Sequence, residues 1–449
     1  MKKSKNTIDM TYGTLWNKIL LFALPLAASS ILQQLFNSVD TAVVGRFASS
    51  RALAAVGSTS SFISLMINLF IGISLGSNVV IAHYIGQKVE KNIQAAIHTA
   101  ITVALIGGCF VMILGQFIGR PVLILMGTPE DVIDLAVQYL RIYFLGMPFI
   151  LLYDFGSSIL RSTGDSRRPL YSLIVAGILN TVLNLILVIV FQMGVAGVAI
   201  ATVVSNIVSS GIVMWILMYE PEPVRFTLRK LTINGKELWK ILSIGVPAGL
   251  QGMVFSLANV CIQSTINSFG SNAVAGSAAA LNYEFFAYFI VNAFAQTTVT
   301  FTSQNYGAGE YDRCRKIFRI NMAFSMVFCG LLSAVFVLGR SFFLGLYTTD
   351  DSVLEYATTR LVIATTLELL TSAYEISGGA MRGLGHSLQP ALITVFGSCV
   401  LRLIWISTAC VAVHEFWVLI IIYPISWVVT GIIMIVSYLR LRKKMLIKN

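Results

Sequence analysis

The stretch Ile19–Gly45 reads ILLFALPLAASSILQQLFNSVDTAVVG. It is nearly all apolar, and it exceeds the roughly 20 residues that a helix needs to cross a bilayer. One proline, Pro25, interrupts it, and one carboxylate, Asp40, lies near its far end. A lone acid in an apolar span costs about 2.5–3.5 kcal/mol on insertion scales, so its presence points to a task. The stretch Ile241–Phe269, ILSIGVPAGLQGMVFSLANVCIQSTINSF, repeats the pattern later in the chain. It keeps the proline as Pro247 but has Ile262 where the acid would stand. The two copies are therefore alike in shape and unequal in charge.

The same apolar character extends through the 449 residues, of which 56% are hydrophobic and 11% charged. Soluble domains carry about 25% charged residues. The composition predicts a polytopic helical membrane protein; a barrel would show short alternating strands instead. The net charge of +11 does not imply nucleic acid, because the basic residues sit in short loops between spans, where they set topology. The six cysteines (109, 261, 314, 329, 399 and 410) form no CxxC pair and read as small packing residues. Lys2, Lys3 and Lys5 before an apolar run resemble a signal peptide. The recurrence of the pattern inside the chain argues instead for a retained first helix.

Twelve spans are expected: 16–44, 53–83, 93–118, 131–160, 168–191, 194–219, 238–267, 273–304, 314–338, 352–381, 389–413 and 415–440. With the N-terminus inside, the inner segments hold 24 Lys and Arg residues and the outer loops only Arg46, Arg51, Arg120 and Arg340. That asymmetry predicts both termini in the cytoplasm. The expected organisation is a cytoplasmic N-terminus (1–15), an N-lobe of six spans (16–219), a cytoplasmic linker (220–237), a C-lobe of six spans (238–440) and a basic cytoplasmic tail (441–449).

The halves read as repeats. ILRSTGDSRRP at 159–169 matches AMRGLGHSLQP at 380–390, pairing Arg161 with Arg382 and Gly164 with Gly385. MGTPEDV at 126–132 matches YTTDDSV at 347–353. Six spans per half give both copies the same orientation, a parallel repeat of the kind known in transporters.

Polar residues within spans supply the candidate site. Asp40 has no acidic mate in the other half. Asn180 and Asn184 stand at i, i+4 on one face of the fifth span, Thr202 is on the sixth, and Gln33, Gln34 and Asn37 precede Asp40 on its own helix. Together they form either a cation-coupling site or a polar packing cluster. Burial disfavours a charged carboxylate, which suits a group that takes up and releases a proton. Pro25 gives the same helix a place to bend. Asp154 and Glu375 are repeat mates, each seven residues before its arginine, Arg161 or Arg382. They read as arginine-paired structural acids or as gate acids. Glu284, beside Tyr283 and before two phenylalanines, reads as a receptor for an organic cation or as a helix–helix contact. Arg402 is an intramembrane cation that acids of the tenth span are placed to pair. The histidines form no ligand motif, and no Walker A loop, HExxH or GxSxG occurs. A carrier is expected, not an enzyme, with no cofactor and no metal.

The twelve spans, PLAASSILQQLFNSVDTAVVGRF in the first of them and LRSTGDSRRP after the fourth resemble the multidrug and toxic compound extrusion (MATE) family over residues 15–440. The resemblance implies an all-α membrane fold of two pseudo-symmetric six-helix lobes in a V, and rocker-switch alternating access. It implies export of cationic amphipathic drugs across the plasma membrane in exchange for H⁺ or Na⁺. Asp40 matches the family's coupling acid, Asn180 and Thr202 its companions, and Pro25 the proline whose bending accompanies protonation. Asn184 stands where many relatives have aspartate, and Phe255 and Thr371 lie about where the sodium-coupled branch has acids. The expectation is a proton-coupled multidrug antiporter, working as a monomer on small organic cations within a lipid bilayer. A lipid-linked precursor flippase of the same superfamily is the rival, and an intramembrane enzyme or receptor a third reading.

Overall fold

A computed structural model describes residues 7–447, and within them every regular element is a helix. Lys2, Lys3, Lys5 and Lys448, which entered the charge asymmetry, lie outside the described residues, as do the first six residues of the expected N-terminal segment and the last two of the tail. The helices are, in order, α1 (Leu15–Phe47), α2 (Ser50–Gln87), α3 (Glu90–Leu125), α4 (Glu130–Leu145), α5 (Met147–Ser162), α6 (Arg167–Leu185), α7 (Gly194–Tyr219) and α8 (Gly235–Asn267). There follow α9 (Ser271–Gly307), α10 (Tyr311–Leu338), α11 (Arg340–Gly345), α12 (Asp351–Arg360), α13 (Thr371–Gly383), α14 (Leu388–Thr394), α15 (Leu401–Ala412), α16 (Phe416–Ile420) and α17 (Ile422–Ile447).

Ten of the described segments are long and apolar enough to cross a membrane, and α4 with α5 makes an eleventh as a pair bent by 47°. The bend falls where Pro148, at the start of α5, cannot donate to the ladder. Twelve spans were expected, and the tenth, 352–381, is not one continuous α-helix. It is divided into α12, a π turn at Leu361–Thr365, a 3₁₀ turn at Glu368–Leu370 and α13. Arg360, Glu368 and Glu375 lower the hydropathy of this segment, and the breaks deny it a continuous ladder.

The repeat appears in the turns. Gly164 and Gly385 adopt φ +99° and +86°, the left-handed region that favours glycine. The residue after each returns to the carbonyl five positions back, Asp165 to Leu160 at 3.1 Å and His386 to Met381 at 2.9 Å. Lys88 and Gly309 form a second matched pair of left-handed turns, at φ 60° and 77°.

The chain separates into two compact units, which differ from the halves of the repeat: unit 1 is Met1–Asp9 with Leu24–Gly249, and unit 2 is Met10–Ala23 with Leu250–Asn449. Unit 1 includes the first half of α8. A Cβ on Gly72 of α2 would lie 2.1 Å from the nitrogen of Gly249, and one on Gly76 2.3 Å from the carbonyl of Ile241. Gly72xxxGly76 thus crosses Gly245xxxGly249 with backbones in contact, the packing that small residues permit in membranes. The segment between α7 and α8 is fastened to unit 1. His98 Nε2 accepts from the Thr227 amide at 3.2 Å, Thr99 Oγ1 accepts from Asn234 at 3.0 Å, and Glu220 is ion-paired with Arg168.

Unit 2 includes the start of α1. Asn305 Nδ2 and Arg313 Nη2 both donate to the Met10 carbonyl, each at 3.1 Å, and Arg313 Nη1 donates to that of Gly13 at 3.0 Å. Phe22 meets Phe301 edge to face at 5.5 Å. The buried end of α1 is thereby held by α9 and α10.

Candidate functional site

In unit 1, three helices converge on Asp40. Asn184 Nδ2 of α6 donates to Asp40 Oδ1 and also to Asn180 Oδ1, the latter at 3.1 Å. Thr202 Oγ1 of α7 reaches Asp40 Oδ2 at 3.5 Å, the long limit of a hydrogen bond. Asn206 Nδ2 donates to the Thr202 carbonyl at 2.8 Å. Tyr139 and Tyr143 of α4 lie within electrostatic reach of the carboxylate. Asn180 and Asn184 are buried, and Asp40 and Thr202 are partly buried.

Close approach of α1 and α6 makes this grouping possible. A Cβ on Gly177 would fall 1.8 Å from the Phe36 ring, so glycine there admits the phenylalanine. Gly177, Asn180 and Asn184 follow i, i+3, i+7 spacing on one helix face, a signal that marks Gly177 as part of the site and that the polar residues alone do not reveal. The Asn184 Oδ1 atom is buried and has no protein partner.

Gln33, Gln34 and Asn37 donate no hydrogen bond to Asp40. Gln33 and Asn37 are exposed, and the carbonyls of Gln34 and Asn37 accept from Ser38 and Thr41, each at 2.9 Å. Pro25 lies inside an unbroken α1, where its carbonyl accepts from Ser29 at 2.8 Å.

Arg161 Nε donates to the Ser157 carbonyl at 3.2 Å, and Arg382 Nη2 donates to Gln251 at 2.8 Å. Glu375 accepts from the Tyr288 hydroxyl at 3.0 Å.

Unit 2 contains a cavity of about 200 Å³ lined by Glu284, Arg360, Glu368, Arg402 and aromatic rings including Phe255 and Tyr423. Glu284 is held by Arg360 of α12 through two bonds, Nε to Oε1 at 2.6 Å and Nη2 to Oε2 at 2.9 Å. Arg360 Nη1 donates to Ser277 at 2.6 Å. Glu284 is thus committed to an intramolecular partner. Of the two sequence readings of Glu284, this is the helix–helix contact, and its partner Arg360 is not marked by any local pattern. Tyr283 points elsewhere: its hydroxyl donates to the Phe343 carbonyl at 2.6 Å, and its ring packs on Phe336 at 4.9 Å. Arg402 donates from Nε to Ser426 at 3.0 Å and lies over the Tyr423 ring at 4.6 Å. Among the described residues, no group of three or more His, Cys, Asp or Glu side chains is placed to hold a metal ion.

Three comparisons bear on what these helices belong to. The MatE family model matches residues 25–186 and 247–406. The chain is 32% identical over 402 residues to the probable multidrug resistance protein YoeA of Bacillus subtilis, covering 88% of this chain and 85% of that one. It is 21% identical over 389 residues to the multidrug export protein MepA of Staphylococcus aureus, covering 86% of each. A solved structure described as the outward-facing conformation of a multidrug resistance MATE family transporter of the MOP superfamily superposes with a TM-score of 0.92 at 23% identity, over the whole of both chains. Members of this family are transporters, not enzymes. The double match of the family model, one in each half, and the length of the alignment to YoeA establish that this multi-pass membrane chain belongs to the MATE family of multidrug efflux transporters.

Proposed function

We propose that the protein is a secondary antiporter that exports cationic amphipathic compounds by alternating access, with H⁺ the coupling ion and Asp40 its carrier. The observation that carries this reading is the set of donors on Asp40. Asn184 and Thr202 both present hydrogens to its two oxygens, an arrangement suited to the charged form. Asn184 also suits the protonated form. Its Oδ1 has no protein partner, and a half-turn of the amide aims that acceptor at a carboxyl O–H. Proton uptake therefore exchanges one bonding pattern for another among α1, α6 and α7. Pro25, which removes a donor from the α1 ladder, gives that helix a point at which to yield. The carboxylate faces amide and hydroxyl groups with no second acid hydrogen-bonded to it, which supports H⁺ over Na⁺.

The location that fits this activity is the plasma membrane, with both termini in the cytoplasm and the monomer as working unit. Efflux of a fluorescent lipophilic cation from whole cells tests the reading, with ΔpH and the Na⁺ gradient collapsed separately. Loss of efflux on ΔpH collapse and in Asp40→Asn is the expected result. Uphill efflux by an Asp40→Asn protein expressed at normal level overturns it, and loss only on removal of Na⁺ reassigns the coupling ion.

A further inference from the structure

The cavity of unit 2 contains two arginines and two carboxylates, and they are not equally satisfied. Arg360 and Glu284 bind one another through two bonds, and Ser277 takes the remaining side of the guanidinium. Arg402 is different. It is 1% exposed, and among the described residues its only hydrogen bond runs from Nε to Ser426 at 3.0 Å, while its Nη2 has no protein partner there. One face lies over Tyr423 at 4.6 Å, with Phe255 at 5.3 Å. The rings attract the cation but supply no acceptor for its N–H groups.

The second acid is Glu368, 4% exposed, on the 3₁₀ turn between the π turn and α13. It lines the same cavity but makes no ion pair with Arg402 within 4.0 Å among the described residues. Its charge and that of Arg402 face one space without meeting. The two differ in chemistry. Glu368 can relieve an unpaired charge by taking up a proton. A guanidinium stays charged in proteins and has no such route. Arg402 is therefore the group whose buried charge calls for an external partner.

We propose that this cavity binds an aromatic compound bearing an oxyanion, a carboxylate or phosphate-type group, with Arg402 as its anchor. The planar fork of the guanidinium matches two oxygens of such a group. The aromatic walls accept a flat apolar body, and about 200 Å³ exceeds the ~150 Å³ cavity that takes a benzene ring. Glu368 competes with the guest for the same guanidinium. The site lies wholly in unit 2 and uses none of the residues around Asp40, so it goes beyond the exchange proposed above and stands independently of it.

The test is calorimetric titration of the full chain in dodecylmaltoside at pH 7 with 2-naphthoate, 2-naphthyl phosphate and neutral 2-naphthamide. The two oxyanions are expected to bind about tenfold or more tighter than the amide, the scale of a charge-assisted bond. Comparing them shows which oxyanion the site prefers. Arg402→Gln should abolish the preference, and Arg402→Lys should retain part of it. Glu368→Gln should tighten naphthoate binding several-fold by removing the competitor. Asp40→Asn should leave the preference of the oxyanions over the amide unchanged, which separates this proposal from the coupling reading. Weaker naphthoate binding by Glu368→Gln, or equal affinity for the oxyanions and the neutral amide, each overturns it. Should Arg402→Gln fail to fold, the sign of the Glu368→Gln change decides alone.

Discussion

Arg360 grips Glu284 with both ends of its guanidinium, Nε on one carboxylate oxygen at 2.6 Å and Nη2 on the other at 2.9 Å, and the two residues are 2% and 6% exposed. Their pairing moves Glu284 from the role of cation receptor to that of a strut between α9 and α12. Breaking a buried pair leaves an uncompensated charge, at a cost of about 3–5 kcal/mol, whereas replacing both partners with apolar groups is often neutral. Glu284→Gln should therefore lower the melting temperature of the detergent-solubilised protein sharply. The double variant Glu284→Leu/Arg360→Met should recover most of the loss. At a temperature where Glu284→Gln remains folded, efflux of a lipophilic cation should persist, because neither oxygen of Glu284 is free to receive one.

The crossing of α2 with the first half of α8 makes a second prediction. Gly72→Val places carbon 2.1 Å from the Gly249 nitrogen and 2.3 Å from its Cα, and backbone has nowhere to retreat without parting the helices. Overpacking of this kind costs about 1–3 kcal/mol or more. Thermal unfolding by size-exclusion chromatography should show a clear loss. Gly211→Ala, on α7, is the contrasting substitution: nothing lies within 4 Å of its Cβ. It should be neutral or stabilising by about 0.5–1 kcal/mol, as expected for a helix-interior glycine. Equal effects of the two changes would remove close packing as the reason for Gly72.

The all-helical membrane fold and the grouping of Asp40 with Asn180, Asn184 and Thr202 were legible, because each rests on a local pattern. Apolar length announces a span, and an acid without a symmetry mate announces itself. What stayed hidden depends on which helix faces which. Gln33 and Asn37 lie on the same helix as Asp40, but they are exposed and give it no hydrogen bond, and spacing along one helix cannot fix its rotation. Gly177 carries no polar atom to draw attention, although its missing side chain admits Phe36. Arg360 and Glu284 are 76 residues apart, and nothing local links them. The division of the tenth span follows from π and 3₁₀ turns, whose hydrogen bonds leave no mark in an apolar sequence. The swap of helix halves between the two units is likewise a matter of packing, visible beforehand only as the paired GxxxG spacing of Gly72–Gly76 and Gly245–Gly249.

Outside the spans, Asp350 caps α12. Its Oδ1 accepts from the Ser352 amide at 2.9 Å and the Ser352 hydroxyl at 2.6 Å, and these bonds hold its carboxyl below its ordinary value. A carboxyl depressed in the folded state contributes stability above its unfolded pKa, and that stability is lost as pH falls through the folded value. Asp350→Ala should lower the melting temperature at neutral pH, and its difference from the unsubstituted protein should vanish as the pH drops below the ordinary carboxylate range. A difference that persists unchanged in acid would assign the effect to the hydroxyl bond alone.

Asn184 offers the most direct probe of ion choice. Its Nδ2 now donates to Asp40, and its Oδ1 has no protein partner. Asn184→Asp replaces that donor with an oxygen and sets a second carboxylate against the first. Two like charges in one site raise the cost of ionising both, and a bound cation relieves it. With Asn180 Oδ1 and Thr202 Oγ1 beside them, the oxygens would suit Na⁺, a hard cation. The melting temperature of Asn184→Asp should rise in NaCl relative to choline chloride, while that of the unsubstituted protein should not. Asp40→Asn/Asn184→Asp should lose most of the response, since one carboxylate remains. A Na⁺ response in the unsubstituted protein as large as in Asn184→Asp would show that a single carboxylate is sufficient for sodium, and would turn the coupling assignment from H⁺ to Na⁺.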